Sequence, residues 1–374
     1  MVAMLAVAGA ITALLALSVA TGQVHRPHRS SGNSPVAPHR TSSSLSDHGG
    51  FVSRRGQQLT LGGKPYQFEG LNVYNAASNG GCVDRVNIWK ALSQIGPGQR
   101  VFRIYLFQDW VVTRGHFDWN RFDQVLSAAS AYNEKVIVVL GNQWPYCDGP
   151  EKYLSWWQVG YRTTVEPGDL VTYRQWVADV VSRYRDSSTI AMWDLVNEGE
   201  AQNPDGTCDT GAAVTAISAF ADDVGGLVKS LDPNHLVTLG SVNNACGTWG
   251  SQYEAVYSSP GIDVCDYHDY DYPYAPMGSP DPNSGLQASI AFCHADGKPI
   301  MVSEVGIDWT QITPATRAER ATLFRAKITA QLQAGVVGTL MWDYDSLQPP
   351  TGPAIYSGLE IGPNDPALTV LGSY

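Results

Sequence analysis

The sequence lacks the features that announce several common enzyme chemistries. None of its six cysteines forms a C-x-x-C pair, which weakens a zinc or dithiol redox reading. No G-x-S-x-G elbow is present, so a Ser/His/Asp hydrolase is unsupported. Charged residues make up only 16 %, and the formal net charge of −11 argues against a nucleic-acid backbone as partner. No glycine-rich phosphate loop follows the first strand-like run, where Asn72-Val73-Tyr74-Asn75 stands instead. Nothing implies a cofactor. Asp266, His268, Asp269 and Asp271 have the residue types of a metal site, but strand alternation sends neighbours to opposite faces, so no metal is expected.

What is present is material for a large core. The chain has 374 residues, 44 % of them hydrophobic, enough for one large domain or two ordinary ones. Residues 1–20 are almost wholly apolar and end in Ser18-Val19-Ala20, a small-x-small pattern that reads as a secretory signal peptide. The missing basic n-region leaves an uncleaved anchor as the alternative. Residues 21–50, rich in Ser, Pro, His and Arg, cannot bury a core and read as a flexible linker. The protein is thus expected outside the cell, or held at the cell envelope or membrane if the first segment stays, and as a monomer. An even number of cysteines in an oxidising compartment favours disulfides, and proximity of the elements carrying them suggests Cys82–Cys147, Cys208–Cys246 and Cys265–Cys293.

From residue 51 onward apolar strand-like runs alternate with amphipathic helical patterns. The runs are Tyr66 to Tyr74, Val101 to Phe107, Val136 to Leu140, Ile190 to Val196, Leu236 to Leu239, Ile262 to Tyr267, Ile300 to Val305 and Val336 to Trp342. Helical patterns cover Arg85 to Ile95, Arg121 to Tyr132, Leu170 to Tyr184, Ala213 to Leu231 and Ala315 to Gln333, with less distinct ones after the fifth and sixth runs. Continuous apolar strands between helices indicate a parallel sheet covered on its outer side. Eight of them over roughly 320 residues is the count of an α/β (β/α)8 TIM barrel, here a single catalytic domain over 51–374.

In such a barrel the site sits where the strands end. The second run carries Arg103, and the third ends in Asn142-Gln143-Trp144. The fourth ends in Asn197-Glu198, the sixth in His268-Asp269-Tyr270, the seventh in Glu304 and the eighth in Trp342-Asp343-Tyr344. A cation, two carboxylates, a His, a Tyr and Trp side chains therefore meet on one rim. Two facing carboxylates without metal-ligand spacing suit cleavage of a glycosidic bond. Burial would keep Glu198 protonated as the acid/base, and Arg103 with Tyr270 would hold Glu304 ionised as the nucleophile. Asn197 would reach a sugar 2-hydroxyl and Trp342 would form the floor under the ring. Asn142, Trp144 and His268 complete the expected substrate contacts. Asp194 is read as a structural partner. Trp110, Trp249 and Trp309 are further candidate sugar platforms, and one of Trp156 and Trp157 is expected to face the cleft.

The ordered set Phe102-Arg103, Asn197-Glu198, His268-x-Tyr270, Glu304-Val305-Gly306 and Trp342 resembles the retaining glycoside hydrolases of family 5, the family of endo-cellulases and β-mannanases. The likeness covers residues 51 to 345. It implies Glu198 as acid/base and Glu304 as nucleophile. Lys135 to Trp157, with Asn142-Gln143-Trp144 and Tyr153-x-x-Trp156, looks like the β-mannanase branch. Three departures stand out: Gly199 where the family commonly has Pro, Ser303 before the nucleophile, and a stretch after Trp342 that looks short for a full last helix. Three functions stay open: an exported endo-β-glycanase acting on β-1,4-mannan or a related β-glucan, an exo-acting β-glycosidase, and a non-catalytic carbohydrate-binding barrel associated with the cell wall.

Overall fold

The structure is a computed structural model that describes residues 50–98, 100–165, 171–346 and 358–372. The expected signal segment and, apart from Gly50, the linker lie outside the described residues. Eight parallel strands form the body: β1 (Phe68–Asn72), β2 (Val101–Tyr105), β3 (Lys135–Val139), β4 (Ile190–Asp194), β5 (Leu236–Thr238), β6 (Cys265–Asp269), β7 (Ile300–Gly306) and β8 (Gly338–Trp342). Their hydrogen-bonded order is β5-β4-β3-β2-β1-β8-β7-β6. Between β5 and β6 there is no regular ladder, but the N–H groups of Asp263 and Val264 donate to the Val237 carbonyl at 2.8 and 3.2 Å and span the seam. The sheet is therefore a nearly closed (β/α)8 barrel. All eight expected strands are present, each within a few residues of its expected bounds.

Seven helices cover the outside: α1 (Ile88–Ile95), α2 (Asn120–Ala131), α3 (Tyr173–Tyr184), α4 (Thr210–Leu231), α5 (Ser251–Tyr257), α6 (Leu286–Ala295) and α7 (Arg317–Gln333). Their starts follow local chemistry. Asn87, Thr172, Asp209 and Thr316 each accept a backbone N–H three residues on, which satisfies a donor the first turn leaves orphaned. After β8 the described residues hold a short 3-10 turn, Pro366–Val370, which packs on α7 where a last barrel helix would lie.

The two ends of the barrel differ. Three short antiparallel strands, Val52–Arg55, Gln58–Leu61 and Lys64–Tyr66, precede β1. Val52, Leu59 and Tyr66 from them pack with Phe68, Val101, Ile137, Met192, Met301 and Leu340 in one apolar cluster across the N-terminal end of the strands. The expected first run missed these strands because their outer faces are exposed and short. The three expected disulfides are all formed: Cys82–Cys147, Cys208–Cys246 and Cys265–Cys293.

Candidate active site

At the C-terminal end the interior turns polar. Arg103 on β2 is fully buried and uses its whole guanidinium. Nε donates to Asp194 Oδ2 at 3.0 Å, Nη2 to Asn197 Oδ1 at 2.7 Å, and Nη1 to Asn72 Oδ1 at 3.2 Å and Glu304 Oε1 at 2.5 Å. A buried guanidinium is stable only with such a set of acceptors, and its fork fixes their relative positions. Asp194 thus takes the structural role expected of it. Asn72 was not foreseen, although a lone amide closing an apolar strand is the signal that would have marked it.

Glu304 lies deep on β7, 2 % exposed. Its second oxygen accepts a short hydrogen bond from the Tyr270 hydroxyl. Gly306 makes this possible, since a Cβ there would stand 2.2 Å from the Tyr270 ring. Glu198 follows β4 with φ +53°, a left-handed backbone that turns its carboxyl into the cleft. Oε2 accepts from Trp144 Nε1 at 2.7 Å and Oε1 from His268 Nδ1 at 2.8 Å. Gly199 has a packing reason: a Cβ would approach Trp157 to 2.6 Å and Ser241 Oγ to 2.8 Å, so a larger residue has no room. Ser303 sits where the β6–β7 register slips, its N–H donating to Asp266 Oδ1 at 3.2 Å and its carbonyl accepting from Asn72.

His268 stands between the two carboxylates, 3.4 Å from Glu304 Oε2. One ligand-type atom from each of Glu198, His268 and Glu304 lies within 4.8 Å of the other two. The spacing would suit a metal. With Nδ1 of His268 2.8 Å from Glu198 Oε1 and 3.4 Å from Glu304 Oε2, the same spacing lets the imidazole share a proton between the two carboxylates.

The electrostatics correct the sequence expectation. Burial pushes the Glu304 carboxyl up, and His268 and Arg103 offset this only in part, so it titrates above the ordinary carboxylate range. Burial also pushes Glu198 up, but the hydrogen bond and charge of His268, with the Trp144 donor, outweigh it and hold it below that range. His268, lowered by burial but raised more by Glu304 and Glu198, titrates at about 9. The expectation that burial keeps Glu198 protonated therefore fails, and Arg103 with Tyr270 does not bring the Glu304 carboxyl down to its ordinary value as expected. At neutral pH the proton rests on His268, one hydrogen bond away.

The other predicted residues divide. Trp342 is half-buried and stacks on Tyr74, with ring centroids 5.3 Å apart at 16°. Asn142 is drawn inward, its amide donating to the Tyr146 carbonyl and accepting from Asn197, so it props the strand ends. Trp110 is in the core against Phe107 and is no platform, a placement that its apolar neighbours Val111 and Val112 could have signalled. Neither Trp156 nor Trp157 faces the cleft: both pack on Phe220, because the Trp157 indole is held by Gln143 and the Lys152 carbonyl. Trp249 is exposed, and Trp309 packs under Arg317. Asp269 turns outward to Lys327 and Gln331, as alternation requires. Two cavities open at this end of the barrel. One, about 700 Å³, lies toward Tyr74, Tyr146 and Asp343; the other, about 390 Å³, lies toward Glu198, Tyr270 and Tyr272.

Comparison with known proteins follows this geometry. No protein-family model matches the chain. Mannan endo-1,4-β-mannosidase A of Aspergillus aculeatus is 27 % identical over 327 residues, covering 79 % of this chain and 81 % of that protein. Probable mannan endo-1,4-β-mannosidase F of Neosartorya fischeri is 25 % identical over 328 residues, covering 79 % and 68 %. The solved endo-1,4-β-mannanase of Rhizomucor miehei superposes with a TM-score of 0.64 at 22 % identity, covering 86 % of this chain and 97 % of that one. The barrel is similar to a mannanase barrel. A family 5 mannosidase from the same organism superposes at 0.60 and 17 % identity, over 86 % of this chain and 95 % of that one.

Proposed function

We propose that the protein is an exported endo-β-1,4-mannanase that hydrolyses its glycan by double displacement. The observation that carries this reading is the carboxylate pair itself: one oxygen of Glu198 and one of Glu304 lie within 4.8 Å of each other on one rim, which favours a covalent mechanism over one that needs a gap of about 6.5–9.5 Å for water. Glu304 is the nucleophile. Arg103 and Tyr270 each hold one of its oxygens, so the carboxylate meets the sugar C1 at a fixed angle. As the C1–O bond breaks, Glu198 gives its proton to the departing oxygen. Glu198 obtains that proton from His268 across their hydrogen bond when the substrate displaces water from the pair. In the second half, Glu198 takes a proton from water, the hydroxide attacks C1, and the C1–Glu304 ester bond breaks to release a sugar of unchanged anomeric form.

Asn197, held at both ends of its amide, keeps one N–H for the 2-hydroxyl, and the Trp342–Tyr74 stack supports the apolar face of the ring. A cavity lined by Glu198 and His268, together with a second one lined by Tyr74 and Asp343, favours cleavage inside a chain over removal of end units. The names of the relatives favour mannan over glucan. The apolar N-terminal segment and three disulfides favour export.

Incubation with mannan, glucomannan, carboxymethyl-cellulose and xylan, followed by sizing of the products, tests the reading. Mannan broken to short oligosaccharides of mixed length is the expected result. No cleavage of any of the four, or release of single sugars alone, would sink it.

A further inference from the structure

The larger cavity is lined by two largely buried polar groups that are short of partners. Asp343 follows Trp342 directly and is 4 % exposed, yet among the described residues its carboxyl meets no donor apart from its own backbone N–H. Asn75, 6 % exposed, donates its amide N–H to the Asp84 carbonyl at 2.8 Å, but its Oδ1 has no partner. Both line the same cavity of about 700 Å³. Buried polar groups in folded proteins are almost always paired, and two unpaired ones in a single cavity beside a reactive centre mark where a ligand supplies the missing bonds.

On the mechanism proposed above, on which this inference rests, the departing part of the chain leaves past its proton donor Glu198. The retained part therefore runs the other way, over Trp342 and into the Tyr74–Asp343 cavity. We propose that Asp343 and Asn75 are specificity residues that bind the hydroxyl edge of the sugar unit next to the one being cleaved, with Asp343 acting as a neutral hydrogen-bond donor. Burial and the nearby carboxylates Glu360, Asp345 and Glu304 disfavour its charged form and push its titration well above the ordinary range. The other titratable groups around it are Asp84, Arg85, Tyr74 and Tyr146, and the single guanidinium among them is exposed. A protonated acid both donates and accepts, which matches a sugar hydroxyl. The acidic wall also disfavours anionic sugars such as uronates.

The test uses the full chain and two activated substrates, dinitrophenyl β-mannoside and dinitrophenyl β-mannobioside, which place one and two sugars on the retained side. The readout is the ratio of kcat/KM, bioside over monoside. Asp343→Ala lowers this ratio about tenfold, mainly through the bioside KM, the size of one lost hydrogen bond. Asp343→Asn, also a neutral donor, keeps the ratio within about threefold of wild type. The wild-type ratio falls as pH rises through the Asp343 titration, and that of D343N does not. A ratio unchanged in D343A, an equal loss in D343N, or a wild-type ratio flat across alkaline pH would each overturn the proposal. Should D343A fail to fold, the pH profiles of wild type and D343N decide it. Wild-type protein that cleaves neither substrate would remove the mannanase reading itself, a distinct outcome.

Discussion

The two ends of the barrel are built from the same eight strands and hold opposite contents. At the N-terminal end, Val101, Ile137, Met192, Met301 and Leu340 close on the antiparallel strands in a dry cluster. At the C-terminal end, a few residues further along the same strands, Asn72, Arg103, Asp194, His268 and Glu304 fill the tube with paired charge. The first end gains free energy from burial alone. The second replaces water by fixed partners and leaves carboxyl groups away from their ordinary titration ranges, an arrangement that chemistry needs and stability does not. Substitutions at the two ends should therefore separate activity from stability.

The largest separation is expected at the rim. Glu304→Ala should lower kcat by about 10⁴-fold or more. Its melting temperature should fall, because Arg103 and Tyr270 each lose an acceptor, whereas Glu304→Gln, which loses activity too but keeps an acceptor, should melt near wild type. Glu198→Ala should regain turnover of an activated substrate when azide is added, read by steady-state rates and product identity. At the other end, Met192→Ala should destabilise by about 2–5 kcal/mol in urea unfolding while kcat at 25 °C is unchanged. Loss of kcat in that variant without loss of stability would break the contrast.

That division explains what the sequence disclosed. The strands were legible because a parallel barrel buries both faces of each one, so Val136–Val139 and Ile190–Trp193 read as unbroken apolar runs. The positions of Glu198 and Glu304 were legible because a carboxylate ending such a run has few structural uses. The state of their protons was not. It depends on the 2.8 Å contact between Glu198 and His268 and on the burial of Glu304, both products of tertiary packing. Trp110 and Trp157 misled for a related reason, since an indole after a strand end packs inward or outward according to its neighbours. Asp343 was visible beside Trp342, but only the cavity shows that it lacks a partner.

An intermediate effect is expected where a covalent link joins the rim loops. Cys82–Cys147 ties the loop after β1 to the loop after β3, next to Tyr146, whose hydroxyl lies 3.4 Å from that of Tyr74. Replacing both cysteines by Ser should lower stability by about 2–4 kcal/mol in denaturant titration. It should also raise KM for long substrates more than it lowers kcat.

The smallest effect is in pH. His268 titrates at about 9 when folded against 6.5 in a free side chain, so its contribution to stability is complete below pH 6.5 and is lost as pH rises through 9. Glu304, also raised, acts in the same direction from the carboxylate range upward; Glu198, lowered, acts oppositely and weakens the fold only as pH falls. Melting temperature should thus decline between pH 7 and 9, and His268→Gln should flatten that decline while bringing the alkaline limb of kcat/KM to lower pH. A slope unchanged in H268Q would place the proton elsewhere.

The central claim is that Glu304 bonds to the sugar before water does. Proton NMR of a β-1,4-manno-oligosaccharide digest, recorded before mutarotation, tests it most directly. The account predicts that the β-anomer of the new reducing end appears first and the α-anomer grows in from it. An α-anomer appearing first would contradict it.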